Sequence, residues 1–375
     1  MVTARDWLIA GAPGASTSIE VFAGTCERLL AEGVPVGRGE AYVRTLHPQF
    51  AGRTFEWTPA FGCRALEAAH TQDLDAATAP LRHVFLRGES YRHRIARRED
   101  DPYLGMMCSL GMVEVLALPM VFTSGEIHAV AFATREGFSD GQLAALEAIA
   151  APLSRMAEIL ALRRTAANVV SAYVGRDAGA RVLAGKIRRG DTELIECAIW
   201  FSDMRGFSAR SNEQSPREVI DMLNELFDCQ VPAIEEQGGE VLKFIGDGLL
   251  AIFVPRPGEV GLGACCTRAL AACRASLATL AARNAGVAEP LRFGIALHVG
   301  EVAYGNIGAA NRLDFTCIGR AINLAARIET LTGETGRDVL ASEAFATLCG
   351  GFVAAGEHRV KGFATPVAVF APASG

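Results

Sequence analysis

The ten cysteines include no CxxC pair and are scattered apart from the adjacent Cys265-Cys266. Neither a zinc ribbon nor a spaced disulfide framework is indicated, and reduced, mostly buried thiols are the simpler expectation. No apolar run approaches the ~18 residues that a bilayer span needs. The N-terminus has no basic region followed by a signal-length apolar stretch, because Arg5 and Asp6 precede only Leu8-Ile9-Ala10-Gly11-Ala12. A soluble, cytoplasmic protein without a membrane partner is therefore expected. An excess of positive charge is also missing. The formal net charge of −6 argues against a nucleic-acid partner held by bulk charge, so any anionic ligand must be gripped locally.

What is present is enough apolar material, half of 375 residues, for the cores of two domains. Ile19, Phe22, Cys26, Leu29 and Leu30 recur at helical spacing between Thr17 and Glu32. Strand-like runs follow at 42–46 and 54–58. The basic segment Arg82 to Arg98 is crowded by Glu89, Glu99, Asp100 and Asp101, and reads as a solvated strand face rather than a nucleic-acid surface. Met112–Phe122 and Ile127–Thr134 read as two strands joined by a turn at Gly125, and Ser139 with Gln142 forms a capping box that opens a helix. Helix, strands, hairpin and long exit helix together resemble a GAF-like sensory domain over residues 1–165. Residues 166–192 then read as a helical linker, broken near Gly175.

The remaining residues, 193–375, alternate differently. A mostly apolar strand, Glu196–Phe201, delivers Asp203. Ser215-Pro216-Arg217-Glu218 combines N-cap, N1 proline and N3 glutamate, and starts a helix expected to run to Gly238-Gly239. A hairpin follows, with strands 240–245 and 249–253 and Asp247 at its tip. A helix over 263–283 leads to two strands, 291–299 and 301–307, expected to meet at Gly300. The order β, α, β, β, α, β is the ferredoxin-like arrangement, so the chain is expected to be α+β in class. A strand through Phe315-Thr316-Cys317, a helix from Arg320 and a terminal strand pair around Val360-Lys361-Gly362 complete it.

Asp203 and Asp247 each stand where an apolar strand breaks into a glycine-containing turn. Carboxylates are rarely buried unless paired or bound to metal, so two at strand ends suggest a shared cation. Such a pair holds two divalent ions for in-line displacement at phosphorus. Met204-Arg205-Gly206-Phe207, directly after Asp203, offers backbone N–H groups to phosphate oxygens. Asn323 and Arg327 are four apart on a helix and project from one face.

Four motifs in order, F-S-D-M-R-G-F, K-F-I-G-D-G, D-F-T-C-I-G-R-A-I-N-L-A-A-R and R-V-K-G, resemble the catalytic domain of class III nucleotidyl cyclases. The resemblance implies that Asp203 and Asp247 hold two Mg²⁺ or Mn²⁺, joined by the backbone carbonyl of Met204. Lys243 and Thr316 would read the base, Asn323 and Arg327 would serve the transition state, and Lys361 would hold the triphosphate. It further implies a head-to-tail homodimer acting on ATP. Lys243 lies in an apolar run where an ammonium needs an acceptor, which adenine N1 would supply. Thr316 departs from the commoner Asp, as in a subset whose members include bicarbonate responders, so a small-molecule or bicarbonate regulator is a candidate partner. The alternatives left open are a guanylyl or pyrimidine nucleotide cyclase, a diguanylate cyclase suggested by Gly238-Gly239-Glu240, and a catalytically inactive nucleotide-binding sensor.

Overall fold

A computed structural model describes residues 2–44, 50–69, 79–309 and 312–373. The chain divides into two compact units, Met1–Val169 and Val170–Gly375.

The first unit opens with α1 (Ala4–Ile9), which the apolar periodicity does not announce, and α2 (Ser18–Ala31). A capping box between Thr17 and Glu20 starts α2. Its buried side is Val21, Phe22, Cys26 and Leu29, while Ile19 and Leu30 are exposed. Strands β1 (Arg38–Arg44), β2 (Phe50–Thr58) and β3 (Gly62–Ala69) precede α3 (Ala79–Arg87), β4 (Tyr91–Arg94) and α4 (Pro102–Ser109). The hairpin of β5 (Glu114–Val121) and β6 (Ile127–Thr134) then leads into α5 (Asp140–Val174), which crosses the division between the units. Of the strand run expected at 42–46, residues 45 and 46 lie outside the described residues.

The six strands form one antiparallel sheet in the order β3-β2-β1-β6-β5-β4. Alternation along β5 and β6 serves both faces. Leu116, Leu118, Val130 and Phe132 pack with Trp7, Phe22 and Leu153, whereas Ala117, Ala129 and Ala131 receive Leu81 and Val84 of α3. The basic segment is therefore not one strand face. Its first part is helical because Leu81 and Val84, three apart, need the sheet, and Gly88, at φ 68°, ends the turn before β4 begins.

In the second unit, α6 (Arg176–Leu183) follows Gly175 and precedes β7 (Thr192–Met204), α7 (Phe207–Glu213), α8 (Pro216–Asp228) and α9 (Val231–Glu236). The single helix expected from Ser215 to Gly238 is two, because the chain breaks at Cys229-Gln230 and Pro232 sits in the first turn of α9. Next come β8 (Glu240–Ile245), β9 (Gly248–Phe253), α10 (Gly263–Arg283), β10 (Phe293–Ala309) and β11 (Arg312–Ile318). The chain ends with α11 (Arg320–Glu334), β12 (Val339–Ser342), α12 (Glu343–Cys349), β13 (Phe352–His358) and β14 (Val367–Pro372).

Strands β10-β7-β9-β8 lie adjacent in that order, with α8 and α10 in the crossovers, which is the ferredoxin-like arrangement. The sheet extends through β12, β14 and β13, and β11 pairs with the far half of β10. One correction concerns Gly300, which is no turn. Strand β10 runs unbroken, pairing with β7 from Phe293↔Met204 to Gly305↔Thr192. The glycine is required because a Cβ there would stand 2.9 Å from the Ala321 Cβ of α11. Among the described residues, no helix is long and apolar enough to cross a membrane.

His298 of β10 is buried with its Nδ1 2.7 Å from Ser342 Oγ, and burial pushes its pKa down to about 4. An unfolded histidine titrates near ~6.5. The unfolded chain therefore takes up this proton first, and stability present above pH ~6.5 is lost as pH falls toward 4, a contribution of up to ~3 kcal/mol. Calorimetric melting of wild type and His298→Gln between pH 7 and 4 should diverge in slope, with the variant losing less on acidification.

Candidate active site

Along β7, Cys197, Ile199 and Phe201 face the side covered by α11. Asp203 keeps that parity and so points toward α11 at the end of the strand. The β8–β9 hairpin brings Asp247 to it. Gly246 takes φ 62° in the two-residue turn closed by the Ile245↔Gly248 pair, consistent with a glycine-first type II′ connection. Gly248 has a separate reason, since a Cβ there would be 2.2 Å from the Ser202 carbonyl and 2.9 Å from Asp203 Oδ1. The two carboxyl groups are within hydrogen-bonding reach. Burial first, then the neighbouring Asp247 charge, pushes the Asp203 pKa up, against a donated Met204 N–H that favours its ionised form. Met204 itself is buried and packs on the opposite face, with Trp200 and Phe293.

A third carboxylate, absent from the residues singled out in the sequence, lies close enough to feel their charge. Glu329 of α11 is pushed up to about 7, by burial first and then by Asp203, with Asp247 contributing. Thr332 Oγ1 lies 3.3 Å from Glu329 Oε1, and both crowd Gly294, where a Cβ would meet them at 2.0 and 2.9 Å. Gly294 is the β10 partner of Asp203, so its missing side chain is what lets Glu329 approach. The signal in the sequence was a glutamate on the inward helix face set by Ala325, Ile328 and Thr332.

Among the described residues, no group of three or more His, Cys, Asp or Glu is gathered to hold a metal ion. Two mutually repelling carboxylates with hard oxygen donors nonetheless suit a cation such as Mg²⁺ or Mn²⁺, which takes its remaining ligands from backbone carbonyl, water and polyphosphate.

On the other side of the hairpin, Lys243 Nζ donates to Asp314 Oδ2 at 3.1 Å. The acceptor that the apolar surroundings demand is thus supplied from β11. Two residues on, Thr316 is 3% exposed and its Oγ1 is buried without a hydrogen-bond partner. A buried hydroxyl left unpaired costs free energy, so this oxygen is set up to meet a ligand atom. Asn323 and Arg327 lie exposed on α11, one turn apart, with no side-chain hydrogen bond or ion pair among the described residues. Lys361 is exposed in the connection between β13 and β14. The sequence-selected residues therefore fall into an Asp203–Asp247 pair, a Lys243–Thr316 region tied together by Asp314, a two-residue face on α11 and a separate loop lysine.

Residues 191–370 match the family model described as the adenylate and guanylate cyclase catalytic domain. This half of the chain is a class III cyclase catalytic domain. An adenylate cyclase of Anabaena cylindrica is 33% identical over 163 residues, 42% of this chain and 31% of that protein. Adenylate cyclase 1 of Rhizobium meliloti is 31% identical over 187 residues, 47% of this chain and 27% of that protein. The chain thus spans about a third or less of the length of these curated relatives. The solved adenylyl cyclase CyaB from P. aeruginosa is 28% identical, with a TM-score of 0.41, over 48% of this chain and 94% of that one.

If the cyclase carboxylates repel one another, a divalent cation should stabilise this domain. Millimolar Mn²⁺ is expected to raise the melting temperature of the full chain by roughly 2–4 °C, about 1 kcal/mol. Asp247→Asn should lose that response while melting no lower than wild type without metal, as followed by differential scanning calorimetry.

Proposed function

We propose that the catalytic half is an adenylyl cyclase that converts ATP to 3′,5′-cyclic AMP and pyrophosphate, regulated by residues 1–165. The reading rests chiefly on the Asp203–Asp247 carboxylate pair. When bound there, two divalent ions would lower the pKa of the ribose 3′-hydroxyl and neutralise the polyphosphate. The 3′ oxygen bonds to the α-phosphorus in line, the bond to the bridging oxygen of the β-phosphate breaks, and the hydroxyl proton passes to solvent.

The chain's own residues orient and stabilise. In a head-to-tail homodimer, Asp203, Met204 and Asp247 of one copy would face Lys243, Thr316, Asn323, Arg327 and Lys361 of the other. Arg327 carries a permanent charge and a planar fork that suits the charge growing on the α-phosphate. Asn323, one turn away, would orient the ribose, and Lys361 would hold the triphosphate. The unpaired Thr316 hydroxyl would accept from the adenine 6-amino group, with Lys243 donating to N1. For the N-terminal unit, the six-stranded sheet covered by helices on both faces supports a GAF-like regulatory reading.

One observation favours a second reading. Asp314 sits on Lys243, and a carboxylate at the base edge suits guanine, whose N1–H and 2-amino group both donate. Purified protein incubated with each of the four nucleoside triphosphates, with the cyclic product identified by mass spectrometry, separates the two. ATP should be the best substrate. If GTP is cyclised faster, the adenylyl assignment fails. Asp203→Ala should lower turnover by ~10³-fold, and activity left intact would remove the metal role.

Thr316→Val gives a sharper check on base reading. It deletes a hydroxyl with no internal partner, so thermal stability should be unchanged or higher. The kcat/KM for ATP should nevertheless fall about tenfold, the equivalent of ~1.4 kcal/mol.

A further inference from the structure

The N-terminal unit contains a site of its own, unrelated to the cyclase residues. Between its sheet and helices α2 and α5 lies a cavity of about 40 Å³ lined by Val21, Phe22, Val43, Phe55, Met120 and Leu153. Two cations, Arg53 of β2 and Arg164 of α5, also line it. Among the described residues, their only ionic contact is with one half-exposed carboxylate, Glu67, at 3.9 and 3.8 Å, beyond hydrogen-bond distance in both cases. Arg53 is mostly buried, and its Nε is buried without a hydrogen-bond partner. Burial, reinforced by Arg164, holds its pKa below the ordinary arginine value.

That combination is unfavourable as it stands. A guanidinium cannot shed its proton at ordinary pH, so the desolvated Nε–H and the repulsion between two arginines persist. A planar anion bridging the two forks relieves both, because Arg binds carboxylates through paired N–H groups. The apolar walls behind the arginines ask the rest of the ligand to be hydrocarbon. The small volume favours a short chain.

We propose that the N-terminal unit binds a short-chain monocarboxylate, its carboxylate between Arg53 and Arg164 and its alkyl chain among Val21, Phe22, Phe55 and Leu153. The full chain is titrated calorimetrically with pentanoate, pentanol and pentylammonium. Pentanoate should bind saturably and raise the melting temperature, while the neutral and cationic analogues bind at least tenfold more weakly. Arg164→Met, on a half-exposed helix position, should weaken pentanoate at least tenfold without lowering the melting temperature of the free protein. Ala157 of α5 also lines the cavity, and Ala157→Leu, which fills it and keeps both arginines, should abolish binding. Pentanol binding as well as pentanoate would overturn the assignment, as would pentanoate affinity unchanged in Arg164→Met and Ala157→Leu. These variants decide the matter even if Arg53→Met fails to fold, and none of the readouts depends on cyclase activity.

Discussion

The ladder between β7 and β10 is the constraint on which the rest of the catalytic unit depends. It pairs residues 192–204 with 293–305 without a register shift. Because side chains alternate strictly along a strand, that register decides that Asp203 shares a face with Ile199 and Phe201 and that Gly294 stands opposite it. A slip of one residue would send Asp203 into the core formed with α8 and α10 and place a side chain where Glu329 and Thr332 now approach. The same ladder has Gly300 at the point where α11 comes nearest, so the helix bearing Asn323, Arg327 and Glu329 is seated by a glycine in the middle of a strand. Beyond the ladder, β10 continues to pair with β11, which carries Asp314 and Thr316.

Charge is distributed unevenly around the hairpin that follows. At its tip and beside it, burial and neighbouring carboxylate charge raise the proton affinity of Asp203 and Glu329, with Arg205 as the opposing cation near Glu329. Arg205 is largely engaged elsewhere, donating to the carbonyls of Thr332 and Arg337. On the same strand pair, Lys243 is neutralised by Asp314. One hairpin thus carries an acidic end whose nearby arginine is also engaged by carbonyls and a basic side chain that is paired with a carboxylate. The first arrangement is satisfied by binding cations. The second allows a lysine to lie in an apolar strand without an uncompensated charge, at the cost of a competing acceptor at the base edge.

Much of this was legible in the sequence wherever a local rule applied. The capping boxes at Ser139 and Ser215, the Gly246-Asp247 turn and the βαββαβ order all follow from residues within a few positions of one another. What escaped was decided by distant contacts. Gly300 looked like a turn because glycine usually marks one, and only the packing of Ala321 shows otherwise. Glu329 was passed over because a glutamate on a helix is usually solvated, and only its position over Gly294 buries it. Asp314 was read merely as part of a motif, although it supplies the acceptor that Lys243 was seen to need. In the N-terminal unit the basic segment misled because charge obscured the Leu81 and Val84 spacing that makes its first part a helix.

Helix α6 illustrates the same limit from the side of the backbone. Its N-cap is Gly175, at φ 91°, with no side chain to accept from the first free N–H groups. Glu240 supplies that acceptor instead, its Oε1 taking the N–H groups of Asp177 and Ala178 at 2.9 and 3.1 Å. Tyr304 donates to its other oxygen at 3.1 Å, and burial pushes its pKa up despite these donors. A buried acid is tolerable here because a helix N-terminus carries partial positive charge and three donors converge on it. Glu240 is also the first residue of β8, the strand that carries Lys243 and leads to Asp247. The strand that positions both halves of the hairpin chemistry is therefore anchored at its start by a helix end far earlier in the chain, Asp177 lying 63 residues before Glu240. No local pattern in the sequence could disclose that, because each partner taken alone looks like an ordinary surface residue.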